Sequence, residues 1–414
     1  MQTNISTQFH DNPRIAEAET ILRACVHCGF CTATCPTYQA LGDELDGPRG
    51  RIYLIKQVLE GAQVSAQTQQ HLDRCLTCRS CETTCPSGVH YSRLLDIGRD
   101  IVEQTVPRSR WQLLLRYLLR KVIPFPRRLK PLLLPVRLVA PLLPRRLQVK
   151  VKPLNRATAF QKQTNARKII LFQGCVQSVS TPGTNTAAQQ VLQRLGIESV
   201  VVHGEVCCGA LSHHLNATEE ALGFVRRNID AWWPLLEQGV EAIVSTASGC
   251  GVMLKDYGEL LKHDSQYAQK AEKVSALAKD LSEVLVQEDL SPVLAGRQYQ
   301  PVKKVSFHSP CTLQHGLKLT GLVEKLLSAA GYKLTQVRDS HLCCGSAGTY
   351  SILQPKISQY LLDNKLVALQ HDRPDIIATA NIGCQMHMAA KSAVPVVHWI
   401  ELLVGDALTK QTQT

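Results

Sequence analysis

Sixteen of the 414 residues are cysteine, and their spacing carries most of the chemistry legible in the chain. Eight fall between residues 25 and 85, none between 86 and 174, and eight between 175 and 384. Cys25-x-x-Cys28-x-x-Cys31-x-x-x-Cys35-Pro36 and Cys75-x-x-Cys78-x-x-Cys81-x-x-x-Cys85-Pro86 each reproduce the run that ligates iron–sulfur cubanes. In such a run the first three thiolates wrap three irons of one cubane, and the fourth, past that turn, points at the neighbouring cluster. The spacing therefore assigns one [4Fe-4S] cluster to Cys25, Cys28, Cys31 and Cys85, and the other to Cys75, Cys78, Cys81 and Cys35. Each proline removes an N–H and fixes the exit of the chain. Structural zinc sites show pairs of C-x-x-C with a long gap instead. Two adjacent clusters make a one-electron relay.

The other eight cysteines belong to an internal repeat. Lys168 to Cys175 (KIILFQGC) matches Lys304 to Cys311 (KVSFHSPC), an apolar strand ending at a Cys in each case. The next Cys opens a CCG triplet, Cys207-Cys208-Gly209 and Cys343-Cys344-Gly345. Both copies close alike, with Glu241 to Cys250 (EAIVSTASGC) matching Asp375 to Cys384 (DIIATANIGC). Helix-period segments lie between, among them Thr186 to Leu195 and Gly321 to Ala330, each followed by a glycine turn and another short strand. Strands alternating with helices imply two α/β modules with parallel strands, whose functional groups collect beyond the carboxyl ends of the strands. Each copy keeps four Cys: Cys175, Cys207, Cys208 and Cys250, then Cys311, Cys343, Cys344 and Cys384. Four thiolates suffice for a [4Fe-4S] cluster or a zinc ion, and adjacent thiols also serve redox chemistry. A buried Cys can equally act as a small hydrophobe. His213, His214, His308, His315, His341 and His387 cluster near these elements, and sequence singles out none of them as a ligand.

With 44% hydrophobic and 19% charged residues, the remaining composition is that of a globular protein of two to four domains. The net charge of +12 comes from one place. Between Pro107 and Lys152 there are thirteen Lys or Arg and no acid, so the rest of the chain is close to neutral. A local strip of this kind fits anionic lipid or an acidic partner better than a nucleic-acid-coating surface. Within it, Trp111, Leu115, Leu118 and Val122 share one helical face, and Arg110, Arg116, Arg120 and Lys121 lie on the other. Seven prolines, from Pro107 to Pro144, are expected to interrupt helix beyond that first part. No stretch is long and apolar enough to span a membrane. The N-terminus MQTNISTQFHDNPR lacks a signal-peptide core, so a cytoplasmic chain is expected, with reduced thiols serving as metal ligands or redox groups rather than disulfides.

This order of modules, together with the stretch LRACVHCGFCTATCPTYQ from Leu22 to Gln39, resembles the iron–sulfur subunits of bacterial glycolate oxidase (glycolate dehydrogenase) over nearly the whole chain. More distant relatives with the same modules are the small subunit of anaerobic glycerol-3-phosphate dehydrogenase, lactate-utilisation proteins and heterodisulfide reductase subunits. The resemblance implies an electron-transfer subunit of an enzyme complex that oxidises glycolate, with D-lactate as a further candidate substrate, to the 2-oxo acid. Electrons would come from flavin-binding partner subunits and pass to a membrane acceptor such as quinone, with the chain peripheral on the cytoplasmic membrane surface. The alternatives are a thiol/disulfide redox subunit, or the corresponding subunit of a glycerol-3-phosphate or lactate dehydrogenase. In the fuller CCG pattern the last ligand element is a C-x-x-C pair, and here Ala247 and Asn381 replace its first member. A five-thiolate cluster is therefore not expected. Neither G-x-G-x-x-G nor a P-loop occurs, the nearest stretch being Gly249 to Leu254, so no catalytic residue for the organic substrate is assigned to this chain.

The expected fold is α+β and multidomain. A mostly helical two-[4Fe-4S] ferredoxin domain (1–106) precedes a basic, proline-rich amphipathic linker (107–160). Two tandem α/β CCG modules with parallel strands follow (165–290 and 302–405).

Overall fold

The computed structural model describes residues 1–9, 12–138, 164–295 and 303–404. They form two compact units, a smaller one of Met1–Leu118, His214–Asn216 and His341–Lys365, and a larger one of the remainder.

The smaller unit is helical. Asn12 caps the helix Pro13–Ala24 through its side chain, with proline at the first helical position where no N–H is missed. The 39 residues between the two cysteine runs include the helices Pro36–Leu41, Pro48–Leu59 and Ala66–Asp73, and Arg49 to Leu59 (RGRIYLIKQVL) carries the helical periodicity of the second. With the helix Tyr91–Thr105 they bury Leu22, Ile55, Leu59, Leu72, Leu94 and Leu95. Gly98 permits the closest approach, since a Cβ there would stand 2.6 Å from Ile55 Cγ1.

The larger unit carries two four-stranded parallel sheets. The first holds β1 (Arg167–Phe172), β2 (Ile197–Val200), β3 (Ile243–Ser245) and β4 (Ala278–Asp280) in the order β2-β1-β3-β4. The second holds β5 (Lys304–His308), β6 (Lys333–Leu334), β7 (Ile376–Thr379) and β8 (Val396–His398) in the order β6-β5-β7-β8. Period-2 alternation decides what each strand buries on its two faces. Ile169, Leu171 and Val244 enter one core with Val305, Phe307, Ile376 and Ala378 of the second sheet. Ile170, Phe172 and Ile243 face the opposite way, onto Phe224, Trp232 and Tyr257. In each sheet the chain goes to one side of the first strand and then to the other, so the switch point lies between β1 and β3 and between β5 and β7. Four of the repeat cysteines, Cys175, Cys250, Cys311 and Cys384, follow those four strands.

Two stretches stand apart from this layout. Residues His341–Lys365, grouped by sequence with 302–405, pack in the smaller unit, where buried Tyr350 donates its hydroxyl to the Arg74 carbonyl at 2.9 Å. The basic strip is helical over Arg110–Val122 as expected, but also over Pro126–Leu138, with Pro131 and Pro135 inside the helix. Four residues apart, those prolines fall on one helical face, so the lost N–H groups are confined to one side. From residue 139 onward the strip, and with it 139–160 of the linker, lies outside the described residues.

Candidate metal centres

The two ferredoxin runs build matching backbones. His27 and Gly29 have positive φ in the first run, and Thr77 and Arg79, at the same offsets from Cys25 and Cys75, have positive φ in the second. Left-handed geometry costs a non-glycine residue roughly 1–2 kcal/mol. Its repetition at three non-glycine positions marks a demanded shape, the concave turn in which successive N–H groups face an anionic guest. Thr77 N–H already donates to Cys75 Sγ at 3.4 Å.

Each turn closes over a cavity. One is lined by Cys25, Cys28, Cys31 and Cys85. The other is lined by Cys35, Cys75, Cys78 and Cys81. Cys81 also borders the first cavity. The last cysteine of each run thus lines the cavity of the other run. Burial, with the neighbouring Cys25 and Cys28, pushes the Cys31 thiol up to about 11, and burial with Cys78 and Cys75 also raises the Cys81 thiol well above its usual range. Such thiols ionise only for a cationic partner, and binding one releases protons. Four thiols lining each cavity, over turns of matching left-handed backbone, fit a pair of [4Fe-4S] clusters. Cys28 is the exposed member of the sixteen, flanked by Val26 and Phe30, which are 68% and 60% exposed.

The start of the helix Pro48–Leu59 sends one guanidinium toward each cavity. Arg49 lines the first and pairs with Glu44 at 2.7 Å, both partly in solvent. Arg51 lines the second and is fully buried. Its Nε donates to the His71 carbonyl at 2.7 Å, its Nη1 to Thr37 Oγ1 at 3.1 Å, and its Nη2 meets Asp46 at 3.4 Å. Asp46, also buried, binds Arg74 at 2.7 Å and His71 at 3.0 Å. Thr37 in turn lies 3.3 Å from Cys35 Sγ. Nothing in the helical pattern of Arg49 to Leu59 marks one of its cations as buried.

In the first cysteine-rich copy all four thiols come together. Cys175 Sγ donates to Cys207 Sγ at 3.4 Å, Cys208 hydrogen-bonds both Cys207 and Cys250, and Cys250 enters on the helix Ser248–Lys255. Hydrogen bonds from Cys175 and Cys208 hold the Cys207 thiol well below its usual range, and the same bonds with burial raise the two donors. The CCG loop is fixed from behind. Asn228 Nδ2 donates to the Cys207 carbonyl at 3.0 Å, and the Tyr257 hydroxyl to the Cys208 carbonyl at 2.9 Å. Gly209 is left-handed, and a Cβ there would meet the Ala221 carbonyl at 3.1 Å. Glu205, two residues before Cys207, accepts from Gln173 N–H at 2.9 Å and is pushed up to about 7 by burial. These contacts favour chemistry over simple packing, and four sulfurs suit a zinc ion or an iron–sulfur centre.

In the second copy Cys311 and Cys384 belong to the larger unit, and Cys343 and Cys344 to the smaller. Cys384 Sγ accepts from Asn381 Nδ2 at 3.5 Å, and Cys343 Sγ from Gly345 N–H at 3.4 Å. Gly345 is obligatory, since a Cβ would stand 2.5 Å from the Ser358 carbonyl. Of the histidines near the CCG elements, His308, His315 and His387 are buried, His213 and His341 are half-buried and His214 is exposed.

The basic strip proves inverted relative to a cationic surface helix. Arg108 pairs with Asp73 and Glu103 at 2.6 Å each, and Arg116 with Asp73 at 3.3 Å. Lys121 and Arg120 meet Glu220 at 2.5 and 3.8 Å. Nearby acids thus draw these cations inward, leaving Trp111 71% exposed, with Leu113, Leu114, Tyr117 and Leu118 also exposed. Among the described residues no helix is long and apolar enough to cross a membrane.

Comparison with known proteins agrees with this organisation. Residues 21–89 match the family described as 4Fe-4S dicluster domain, and 169–255 and 305–389 each match the cysteine-rich domain. The chain therefore carries iron–sulfur clusters. A hypothetical protein from Helicobacter pylori, known from a crystal structure, shares the fold at a TM-score of 0.55 with 9% identity, over 97% of this chain and 76% of that one. Lactate utilization protein A of Bacillus licheniformis is 26% identical over 57% of this chain and 98% of its own. The glycolate oxidase iron-sulfur subunit of Escherichia coli is 53% identical over 99% of this chain and 100% of its own. Two ferredoxin runs, two CCG copies and full-length similarity of this degree establish that the chain belongs to the family of glycolate oxidase iron–sulfur subunits.

Proposed function

We propose that this chain is the electron relay of a complex that oxidises glycolate, and D-lactate as a related 2-hydroxy acid, to the 2-oxo acid. The observation that carries the proposal is the exchange of last cysteines between the two cavities, which sets two four-sulfur sites side by side. Cys25, Cys28, Cys31 and Cys85 hold one cluster, and Cys75, Cys78, Cys81 and Cys35 the other. When bound, each cluster supplies a site that gains and loses a single electron without bond making. The protein's part is electrostatic. The left-handed turn of the second run brings the Thr77 N–H to the Cys75 sulfur, and Arg49 and Arg51 each bring a positive charge to one cavity. Hydride removal from the hydroxy acid needs a two-electron acceptor, and we place that flavin on partner subunits. The exposed edge at Cys28, rimmed by Val26 and Phe30, is the contact through which electrons enter or leave. In the cysteine-rich copies, Cys175, Cys207, Cys208 and Cys250, and Cys311, Cys343, Cys344 and Cys384, act as metal or redox ligands.

Rapid freezing of the complex after glycolate addition is expected to show paramagnetic signals of reduced clusters within a turnover. If the flavin subunits reduce and the clusters stay oxidised, the relay assignment is wrong.

We further propose that the acceptor is a membrane quinone and that the chain sits on the membrane surface through the exposed face of the helix Arg110–Val122. Trp111, Leu114, Tyr117 and Leu118 offer an apolar face with interfacial aromatics, and the exposed cations Arg127, Arg128 and Lys130 follow it. Because the helix's inner cations are already paired, apolar insertion contributes most of the affinity. Membrane retention in cell fractions is therefore expected to survive 0.5 M salt, an ionic strength of about that size screening charges beyond a few ångströms. Trp111→Glu with Leu118→Glu should release the chain at any salt. Retention of that double variant would exclude this face as the anchor.

A further inference from the structure

The two cysteine-rich copies differ in chemistry at one matched position. Aligning KIILFQGC with KVSFHSPC puts Phe172 of the first copy opposite His308 of the second. Phe172 ends β1 and packs edge-on against Trp232 with ring centres 5.8 Å apart. His308 ends β5, is 2% exposed, and has a ring nitrogen within 4.8 Å of the Cys384 sulfur. The sheet itself sets its orientation. In the parallel register His308 lies opposite Thr379, and its Nδ1 is 3.0 Å from Thr379 Oγ1. An imidazole held at Nδ1 by a hydrogen-bonding partner directs Nε2 to a metal, the arrangement that orients ligating histidines generally. Asn381 adds a polar contact to the Cys384 sulfur, where the first copy has Ala247.

We propose that the second copy holds a thiophilic metal centre with His308 as a nitrogen ligand beside Cys384, whereas the centre in the first copy is bound by sulfur alone. The inference rests on the reading of both copies as metal sites. A mixed nitrogen–sulfur set is accepted by zinc and by iron–sulfur centres, and replacing thiolate by neutral imidazole raises the potential of the latter. The two copies are then unlike in charge, and a duplicated module yields two different centres.

The test uses the full chain in its complex, purified anaerobically, with iron, sulfide and zinc counted. Cys250→Ser removes the first-copy metal and leaves the second for inspection; Cys384→Ser does the reverse. If the second metal is zinc, X-ray absorption of Cys250→Ser should show one nitrogen among its scatterers, and that of Cys384→Ser sulfur only. If it is iron, pulsed paramagnetic resonance should detect a nitrogen coupling that changes on labelling with 15N-histidine and vanishes in Cys384→Ser. His308→Phe should lower second-copy occupancy at least tenfold, and His308→Cys should restore it with an all-sulfur shell, which shows that the fold survives. A nitrogen-free shell, or full occupancy in His308→Phe, overturns this inference alone. About eight irons and no zinc in the unaltered chain overturns the metal reading of both copies together with it.

Discussion

Replacing Arg51 by methionine is expected to lower the midpoint potential of the cluster proposed at Cys35, Cys75, Cys78 and Cys81 by on the order of 100 mV. A buried unit charge next to a site that gains an electron contributes about 2 kcal/mol at the effective dielectric of protein interiors, and a one-electron couple converts that to roughly this shift. Arg51 is the cation to test because it lines that cavity and is fully buried, so solvent and salt do little to screen it. Arg49 lines the other cavity but is 38% exposed, and Arg49→Met should shift its cluster by far less. Arg51→Met should also cost about 3 kcal/mol of stability, the lower end for breaking a buried pair, since Asp46 keeps Arg74 and His71. Arg51→Lys keeps the charge and should hold most of the potential while losing the fork that binds Thr37 and the His71 carbonyl. A redox titration followed by paramagnetic resonance, with anaerobic thermal unfolding, measures both effects. An unchanged potential in Arg51→Met would remove the electrostatic role.

Cys35→Ser and Cys85→Ser are each expected to remove about four irons and abolish the magnetic coupling between two reduced clusters. The surviving cluster should differ between them. If the fourth ligands are exchanged, Cys35→Ser empties the cavity that contains Arg51, and Cys85→Ser empties the one that contains Arg49. Adding Arg51→Met to Cys85→Ser should therefore still lower the potential of the remaining cluster, whereas adding it to Cys35→Ser should not. The opposite pattern would mean that each run supplies all four ligands of its own cluster. Iron counts alone would miss this, since both variants lose the same number.

Much of this organisation is local and so could be read along the chain. Cysteine spacing encodes ligand geometry because three thiolates in one tight turn need no distant partner to face a common point. The halves of the repeat are legible for the same reason, since β1 with Cys175 and β5 with Cys311 are each a strand and the turn after it. The helix Arg110–Val122 was also legible, its periodicity being internal. Which of its faces meets solvent was not, because acids distant in sequence, Asp73 for Arg116 and Glu220 for Lys121, decide it. The proline-containing helix Pro126–Leu138 departs from the local rule, with the lost hydrogen bonds confined to one side.

Sequence alone thus determined the family, the fold class, the two clusters and the twofold repeat, all carried by short segments whose spacing is itself the physical constraint. Tertiary structure decided what surrounds the sulfurs. Arg51 looked like one more residue of an amphipathic helix until burial placed it against a cysteine cavity, and His308 like one histidine among several until parallel register set it against Thr379 and near Cys384. Both depend on residues brought together from distant parts of the chain, and the low dielectric of the interior gives a single buried charge or imidazole its weight.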